Sequence, residues 1–291
     1  MYFLLKIISK IFQIIPRRLA LYIGRMFGTF FYYFVPIRKT IANKNLDIAF
    51  PKWSTKQKKA VLYSCYKHYG MVLIDFFRLP KIKKYNDKNI VQIPKQSLDL
   101  FKNNNGGIIM SGHIGNWEYI GPYLGINGIN CAGVAKVQRN SKSNQFFNEL
   151  RGSNNVKIIS MDAGSDEMIK TINIGHYLGL ISDQNAGKKG TDAPFFGHSV
   201  SVAKGAGAFH LKTNTPILLG FCILSTDYKY ELCFNQLDVN GLSNNSNEAI
   251  KEINKRYTKL LEQMVTLYPH QYFWFHRKWP RVHYLQKSNN S

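Results

Sequence analysis

The sequence predicts an α/β fold in which a mixed central sheet is flanked by helices, preceded by an N-terminal hydrophobic membrane-anchoring helix. Two observations support this prediction. From residue 106 onward, short apolar runs of strand length alternate with amphipathic stretches of helical length, which indicates a sheet with helices on its faces. The first third of the chain is instead both strongly basic and strongly apolar, a combination typical of a segment at a membrane surface.

The α/β part divides into elements of ordinary length. Strands are predicted at residues 106–111, 131–137, 156–160, 178–182, 217–224 and 228–235. Helices are predicted at residues 55–78, 116–124, 144–151, 166–174, 202–212 and 248–267, and a polar surface loop at 240–247. No repeat interrupts this alternation, so we expect one main domain after the N-terminal segment.

Positive charge is concentrated at the N-terminal end. The 291 residues contain 39 Lys and Arg against 17 Asp and Glu, and residues 1–90 hold 18 of these cations against 3 acids. Such a cationic surface should bind an anionic partner, either nucleic acid or lipid. Nucleic-acid-binding arms are seldom as apolar as residues 19–37, where Arg25 is the one charged residue. We therefore expect anionic membrane lipids as partners and no nucleic acid.

The apolar stretch 19–37 could cross a membrane or lie along it. Nineteen residues just suffice for a bilayer core of about 30 Å. The basic residues on its two sides do not favour either orientation. Its aromatic residues recur at helical spacing, at Phe27, Phe30, Phe31 and Phe34. This pattern fits an interfacial helix at least as well as a span, so we expect single-pass or monotopic attachment.

Cysteine usage and the first apolar run exclude some classes of protein. Cys65, Cys131, Cys222 and Cys233 are scattered without a CxxC pair, so we expect free thiols, no metal and no redox cofactor. Pro16 and two arginines follow the first apolar run where a signal peptide would have small residues. A secretory signal is therefore not expected.

The segment Ser111–Glu118 carries the clearest chemistry. His113 follows a predicted strand, and in open α/β sheets ligands bind at the carboxyl ends of strands. Glu118 follows five residues later, in the first turn of the predicted helix, where its carboxylate could hold one ring nitrogen of His113 and leave the other as a base. Because Gly115 and Asn116 begin that helix, their amides could stabilise a developing negative charge. A histidine base without a nucleophile of its own suits direct attack by a substrate hydroxyl.

Five motifs, in order along residues 17–281, resemble those of the late acyltransferases of lipid A biosynthesis. His113-Ile-Gly-Asn-Trp-Glu118 resembles the H-x₄-D/E motif that these enzymes share with glycerolipid acyltransferases. The other four are Arg38-Lys-Thr-Ile-Ala-Asn-Lys-Asn-Leu46, Asp183-Gln-Asn-Ala-Gly-Lys-Lys-Gly190, Pro194-Phe-Phe-Gly197 and Trp274-Phe-His-Arg-Lys-Trp279.

The resemblance implies a glycerolipid acyltransferase-like fold and a reaction. Residues 1–45 would be the membrane-anchoring or interfacial segment and residues 46–291 the catalytic domain. An acyl chain would pass from acyl carrier protein, or from acyl-coenzyme A, to a hydroxyl of a glycolipid, most simply a lipid A precursor. His113 would be the general base and Glu118 its orienting carboxylate. No cofactor is implied beyond the donor. The enzyme would be a monomer at the cytoplasmic face of the bacterial inner membrane.

Several further residues are candidates for binding substrate. Arg139 follows a predicted strand and could stabilise the oxyanion or hold a phosphate. Asp183 follows another strand and, with Gln184, begins the motif loop, so both are expected near the substrate. Phe195 and Phe196 could line an acyl slot. The residues Arg277, Lys278 and Arg281, interleaved with aromatic residues, resemble an interfacial patch.

The sequence leaves the acceptor open. Asn185 stands where the family's loop usually has a second Asp, and residues 140–144 lack the prolines that often follow the arginine at position 139. The acceptor could instead be a mannosylated phosphatidylinositol, an aminolipid or a lysophospholipid. A non-catalytic protein that binds a membrane or nucleic acid is the remaining alternative, and the intact pair His113 and Glu118 disfavours it.

Overall fold

Four helices precede the sheet. The computed structural model describes residues 1–82 and 90–285 of the chain. The N-terminal helices are α1 (Tyr2–Ile14), α2 (Arg17–Tyr33), α3 (Lys39–Ala49) and α4 (Thr55–Phe77). Pro16 separates α1 from α2, and a capping box of Ser54 and Gln57 begins α4 by satisfying free backbone donors. Helix α3 runs across position 45, where the sequence suggested a domain boundary.

A seven-stranded mixed sheet forms the centre of the molecule, and a separate hairpin lies beside it. The strands are β1 (Val91–Gln92), β2 (Gly107–Ser111), β3 (Cys131–Ala135), β4 (Lys157–Ser160), β5 (Tyr177–Ile181), β6 (Thr191–Phe195), β7 (His198–Val202), β8 (Ile217–Leu224) and β9 (Tyr230–Gln236). Their order in the sheet is β1-β9-β8-β2-β5-β3-β4, and β6 pairs with β7 alone. Strand β9 is antiparallel to β8 and parallel to β1, while β2, β3, β4, β5 and β8 are mutually parallel.

Helices cover both faces of this sheet. They are α5 (Lys95–Lys102), α6 (Ile120–Ile126), α7 (Ser141–Arg151), α8 (Ser165–Asn173), α9 (Gly205–Thr213), α10 (Ser246–Leu267) and α11 (Val282–Leu285). Successive residues of a strand enter two different apolar clusters: Ile108 packs with residues of α8, α9 and α10, and Ile109 packs with residues of α4, α6 and α7. The predicted α/β fold, with its mixed sheet flanked by helices, is therefore confirmed.

Helix α2 is fixed to α4 by direct backbone contact. A Cβ atom on Gly28 would lie 2.2 Å from the carbonyl oxygen of Tyr66, and one on Gly70 would lie 2.0 Å from that of Gly24. Only glycine permits so close an approach of two helices. Arg17, at the start of α2, forms a buried ion pair of 2.8 Å with Asp75 of α4. The N-terminal helices are thus part of the folded body.

The proposed membrane-spanning helix is not supported. Within residues 1–82 and 90–285, the structure contains no helix both long and apolar enough to cross a membrane. The stretch 19–37 does not form one continuous helix, because α2 ends at Tyr33 and Pro36 follows. The single-pass alternative therefore lacks structural support.

The N-terminal helices nevertheless expose much apolar surface. Fifteen of the 22 large apolar side chains that are exposed among the described residues belong to residues 1–37. On α1 they include Phe3, Leu4, Ile7, Ile11 and Ile14, and on α2 Leu19, Tyr22, Met26, Phe27, Phe30 and Tyr33. We call these eleven side chains the apolar N-terminal surface. Soluble monomers rarely leave so many large apolar groups together in water.

Candidate active site

The register of the sheet brings His113 and Asp183 together. Strands β2 and β5 are neighbours, with Ser111 of one paired to Ile181 of the other. His113 lies two positions after Ser111, and Asp183 lies two positions after Ile181, so both residues are at the same edge of the sheet. Nδ1 of His113 lies 2.6 Å from Oδ1 of Asp183. The predicted positions of both residues at strand carboxyl ends are confirmed.

The backbone at His113 is held by hydrogen bonds from two other segments. Its carbonyl oxygen accepts from the backbone N–H of Phe273 at 2.8 Å and from the hydroxyl of Tyr69 at 2.9 Å. The Tyr69 hydroxyl also donates to the carbonyl of Gln271 at 2.6 Å. Because these bonds fix the main chain at His113, the imidazole has a defined position before substrate arrives.

Asp183 is a buried carboxylate that stays ionised. Burial alone would raise its pKa, but the neighbouring His113 and the ammonium of Lys278 hold that pKa below its ordinary value. Lys278 is itself buried and donates to the backbone oxygen of Asp183. Burial lowers the pKa of Lys278 to about 8, although Asp183 opposes the shift. An ionised Asp183 accepts the Nδ1 proton of His113, which leaves Nε2 with a free lone pair.

Gln184 and His276 surround the free nitrogen. Nε2 of Gln184 lies 3.4 Å from Nε2 of His113 and 3.0 Å from Nε2 of His276. Burial, and secondarily the nearby His113, lowers the pKa of His276 to about 4, so this second imidazole is neutral near pH 7. The ring of Trp117 packs edge-on against His113, with centroids 4.6 Å apart. Gln184 therefore lies beside the imidazole of His113.

Glu118 has a different partner from the one predicted. Its two carboxylate oxygens accept from the guanidinium of Arg151, at 2.6 and 2.9 Å. The carboxylate bonded to His113 is that of Asp183, which corrects the orienting role assigned to Glu118 from the sequence. Five residues of spacing carry Glu118 past the imidazole and toward the end of α7, where a cation is available. Glu118 still lines the same cavity as His113.

The amides of Gly115 and Asn116 are not free to bind an oxyanion. The N–H of Gly115 donates to the carbonyl of Gln271 at 2.9 Å, and that of Asn116 donates to the carbonyl of Cys222 at 2.8 Å. Gly115 has φ of +61°, and a Cβ there would lie 1.9 Å from the Cys222 oxygen. Close backbone packing therefore explains this glycine, and the predicted substrate-binding role of the two amides does not fit the geometry.

Arg139 also lies outside the site. The side chain is exposed and is not part of the cavity lining, whereas Lys136 and Gln138 of the same segment line it. The predicted contact of Arg139 with an oxyanion is therefore not seen.

The two C-terminal motifs pack inside the molecule. Phe195 is fully buried and does not line the cavity. Its ring lies 5.8 Å from that of Trp279. Phe196 packs at 5.1 Å against Phe50. Trp274 and Trp279 are buried as well, and so is Lys278. Neither phenylalanine lines the cavity beside His113, so the expected acyl slot is not found there. Of the expected interfacial patch, Lys278 is buried, whereas Arg277 and Arg281 are exposed.

A cavity of about 390 Å³ opens beside His113. It lies between the sheet face formed by β2, β5, β3 and β4 and the helix α6. Polar side chains stand at its mouth: His113, Glu118, Lys136, Arg151 and Gln184. Farther in, the walls are apolar or glycine, among them Ile109, Leu124, Gly133, Val156 and Gly179. Such a cavity suits a ligand with a polar reacting end and a hydrocarbon body.

Three residues of the site were not predicted to act there: Arg151, His276 and Lys278, the last of which was assigned to a surface patch. The last two lie in the motif 274–279, which offered a signal, since a histidine and a lysine among buried aromatic residues need polar partners. Arg151 ends a helix and gave no such signal. No group of three or more His, Cys, Asp or Glu suited to a metal occurs in the part of the chain that the structure describes.

A known protein family matches the part of the chain that contains every residue of this site. Residues 1–281 match the family described as bacterial lipid A biosynthesis acyltransferase, so the chain belongs to that family and is an acyltransferase.

Two curated relatives agree with this assignment. One is the lipid A biosynthesis palmitoleoyltransferase of Escherichia coli K12, 22% identical over 278 residues. The other is the lipid A biosynthesis acyltransferase of Shigella flexneri, with the same identity and extent. In each case the alignment covers 91% of this chain and 86% of the relative.

Proposed function

We propose that the protein transfers a fatty acyl chain from the thioester of acyl carrier protein, or of acyl-coenzyme A, to a hydroxyl of a lipid A precursor. The observation that carries this proposal is the His113–Asp183 pair at the mouth of an apolar cavity. Family membership supports the acceptor class, because the family description and both relatives name lipid A biosynthesis.

His113 acts as general base. With its Nδ1 proton directed to Asp183, Nε2 takes the proton of the acceptor hydroxyl while the oxygen attacks the thioester carbonyl. The tetrahedral intermediate then collapses by breaking the carbon–sulfur bond, and the imidazolium returns its proton to the leaving thiolate. Asp183 stabilises the imidazolium between these two transfers. The side-chain amide of Gln184, 3.4 Å from the same nitrogen, is the donor placed to stabilise the oxyanion.

The apolar cavity holds the acyl chain. Its mouth lies at His113 and its walls extend away from the mouth along β2, β5 and β3. A thioester carbonyl near His113 therefore places the hydrocarbon chain between the sheet and α6, away from water. The ion pair of Glu118 and Arg151 lies at the same mouth, where Arg151 and Lys136 are the cations that line the cavity.

The acidic carrier of the donor binds to basic residues beside this mouth. Lys136 lines the cavity, and Arg139 and Lys142 follow it as exposed residues. A cluster of surface cations accelerates encounter with an acidic protein and is screened by salt. In this proposal Arg139 keeps a binding role, although at the rim and not at the oxyanion.

The protein attaches to the inner face of the bacterial inner membrane as a monotopic monomer. The apolar N-terminal surface provides the buried area, and the basic residues of the first third provide attraction to anionic lipids. Lys6 of α1 pairs with Glu149 of α7 at 3.2 Å, and α7 also carries Arg151. The proposed membrane face is therefore next to the helix that reaches the cavity mouth.

The direct test is acyl transfer by the purified full chain. We expect a lipid A precursor, incubated with acyl carrier protein thioester, to gain the mass of one acyl unit, and His113→Ala to abolish that gain. Parallel reactions with acyl-coenzyme A and with lysophospholipid distinguish the donors and acceptors. Transfer to lysophospholipid alone would reject the acceptor, and full activity of folded His113→Ala would reject the mechanism.

A further inference from the structure

Four residues form one row across the sheet on the cavity side. The register pairs Ile109 of β2 with Gly179 of β5, Gly179 with Gly133 of β3, and Gly133 with Ile158 of β4. All four line the cavity. The two glycines are therefore neighbours at the middle of the row, flanked on each side by an isoleucine.

The missing side chains of these glycines leave open space. A Cβ on Gly133 would have its nearest neighbour 3.9 Å away, at Cδ1 of Ile158, and one on Gly179 would have its nearest 3.5 Å away, at the oxygen of Ala132. These are ordinary van der Waals distances. By contrast, a Cβ on Gly107, one row further from the mouth on β2, would lie 2.9 Å from a backbone oxygen. Packing thus does not explain Gly133 and Gly179, and neither has a positive φ.

The row lies on the cavity wall, set back from His113 along β2. Ile109 precedes His113 by four residues, and β2 is extended only as far as Ser111, so the distance along the chain is at most about 13 Å. A hydrocarbon chain with staggered carbon–carbon bonds advances on the order of 1.3 Å per carbon. A chain whose carbonyl carbon is at His113 therefore reaches the glycine pair by about its tenth carbon. The cavity continues past the row to Cys131 and Val156.

We propose that Gly133 and Gly179 determine which acyl chain lengths the enzyme accepts, by leaving a passage through which chains longer than about ten carbons enter the inner part of the cavity. The inference rests on the proposed function, because it assumes that the cavity holds the acyl group of the donor. A side chain at either position would close the passage and leave the site at His113 untouched.

The test compares donors of different length. For Gly133→Val and Gly179→Val, the ratio of kcat/KM for a 16-carbon to a 10-carbon acyl carrier protein donor should fall at least tenfold, since a single methylene group already changes discrimination by roughly 10- to 200-fold. Gly133→Ala and Gly179→Ala should give smaller shifts in the same direction. Gly152→Val is the matched control, because Gly152 also has open space around its Cβ position but lies outside the cavity.

A second readout does not depend on turnover. Thermal stabilisation by a free 16-carbon fatty acid should be lost in Gly179→Val, while stabilisation by a 10-carbon acid should remain. An unchanged length preference in folded Val variants, with active wild type, would overturn the inference alone. If wild type transfers no acyl group but still binds fatty acids in a length-dependent way, the proposed reaction would be rejected. The inference about the passage at Gly133 and Gly179 would then stand.

Discussion

At the scale of single residues, the identity of the carboxylate that holds His113 decides how the base works. We expect Asp183→Asn to lower kcat on the order of 10²- to 10⁴-fold with little change in KM, because an amide no longer fixes the tautomer or stabilises the imidazolium. Steady-state kinetics with a saturating acceptor measure this effect. The hydrogen-bonded imidazole N–H should give a downfield resonance in the proton NMR spectrum of wild type, and this resonance should disappear in the same variant.

Glu118→Gln is the matched control for that experiment. Its carboxylate is bonded to Arg151, so the variant should retain the downfield imidazole resonance whatever happens to its rate. The opposite result, with the resonance lost in Glu118→Gln and kept in Asp183→Asn, would restore the orienting role that the sequence suggested for Glu118.

A second histidine makes stability depend on pH. His68 is buried, with its Nε2 3.1 Å from the carbonyl oxygen of Gly115, and burial lowers its pKa from 6.5 to about 3. Below pH 6.5 the unfolded chain binds a proton there that the folded chain does not, so stability falls as pH falls. Between pH 7.5 and 5.0 this one residue should cost about 2 kcal/mol.

Urea unfolding at the two pH values measures that cost. His68→Gln keeps a donor for Gly115 and cannot titrate, so the difference in unfolding free energy between pH 7.5 and 5.0 should shrink by about 2 kcal/mol in the variant. An identical difference in wild type and variant would show that the acid sensitivity resides in other groups.

At the scale of elements, the contact between α2 and α4 should tolerate no added atoms. Gly70→Val would press its side chain onto the carbonyl of Gly24, and overpacking of this kind typically costs 1–3 kcal/mol. We therefore expect Gly70→Val to lower the free energy of unfolding by about 3 kcal/mol. Gly152→Ala, at a position with open space, should differ little from wild type. Equal stability of both variants would mean that α2 and α4 can move apart without a loss in the free energy of unfolding.

Most elements of the α/β part were predictable because their signals are local. The strand predicted at residues 217–224 has the same bounds as β8. The helix predicted at 55–78 is α4 and extends one residue beyond its observed end. The hairpin of β6 and β7 was missed. Residues 199–202 alternate in burial, but Gly187, Gly190 and the Pro-Phe-Phe-Gly segment suggested a loop throughout. The helix predicted at 202–212 consequently began too early, since Val202 ends β7.

The partner of His113 could not be predicted in the same way. Position after a strand placed both His113 and Asp183 at the active edge, and this part of the site was correct. That β5 lies directly beside β2, however, follows from strand order, which depends on contacts between residues about 70 apart in the chain. The spacing of Glu118 from His113 was visible in the sequence, whereas the competing cation Arg151 belongs to a helix that follows another strand.

At the scale of the whole molecule, the apolar N-terminal surface should control membrane binding. Replacing Ile7, Ile11, Phe27 and Phe30 by Ser in one variant removes four exposed apolar side chains, each worth roughly 1.5–3 kcal/mol when buried. Sedimentation with vesicles of phosphatidylethanolamine and one-third phosphatidylglycerol should show wild type bound and the variant at least 100-fold weaker. Activity on a detergent-dispersed acceptor should be retained, since none of the four residues lines the cavity.

The control for that experiment separates apolar from electrostatic binding. Adding salt should weaken the wild type on anionic vesicles without abolishing binding, because screening acts on the basic residues and not on apolar burial. Equal binding of the Ser variant and wild type would place the contact elsewhere on the molecule.

The glycine contact between α2 and α4 has a mechanical consequence. Where two helices touch through their backbones, no flexible side chains lie between them to absorb a displacement. The ion pair between Arg17 and Asp75 also connects α2 to α4. If the apolar N-terminal surface binds a bilayer, the height of His113 above that bilayer is then set by the fold and is the same for every molecule. The lipid hydroxyl has to rise to this fixed height to react. Acceptors would accordingly be selected by the length of their headgroup, measured from the membrane plane, before they contact the imidazole.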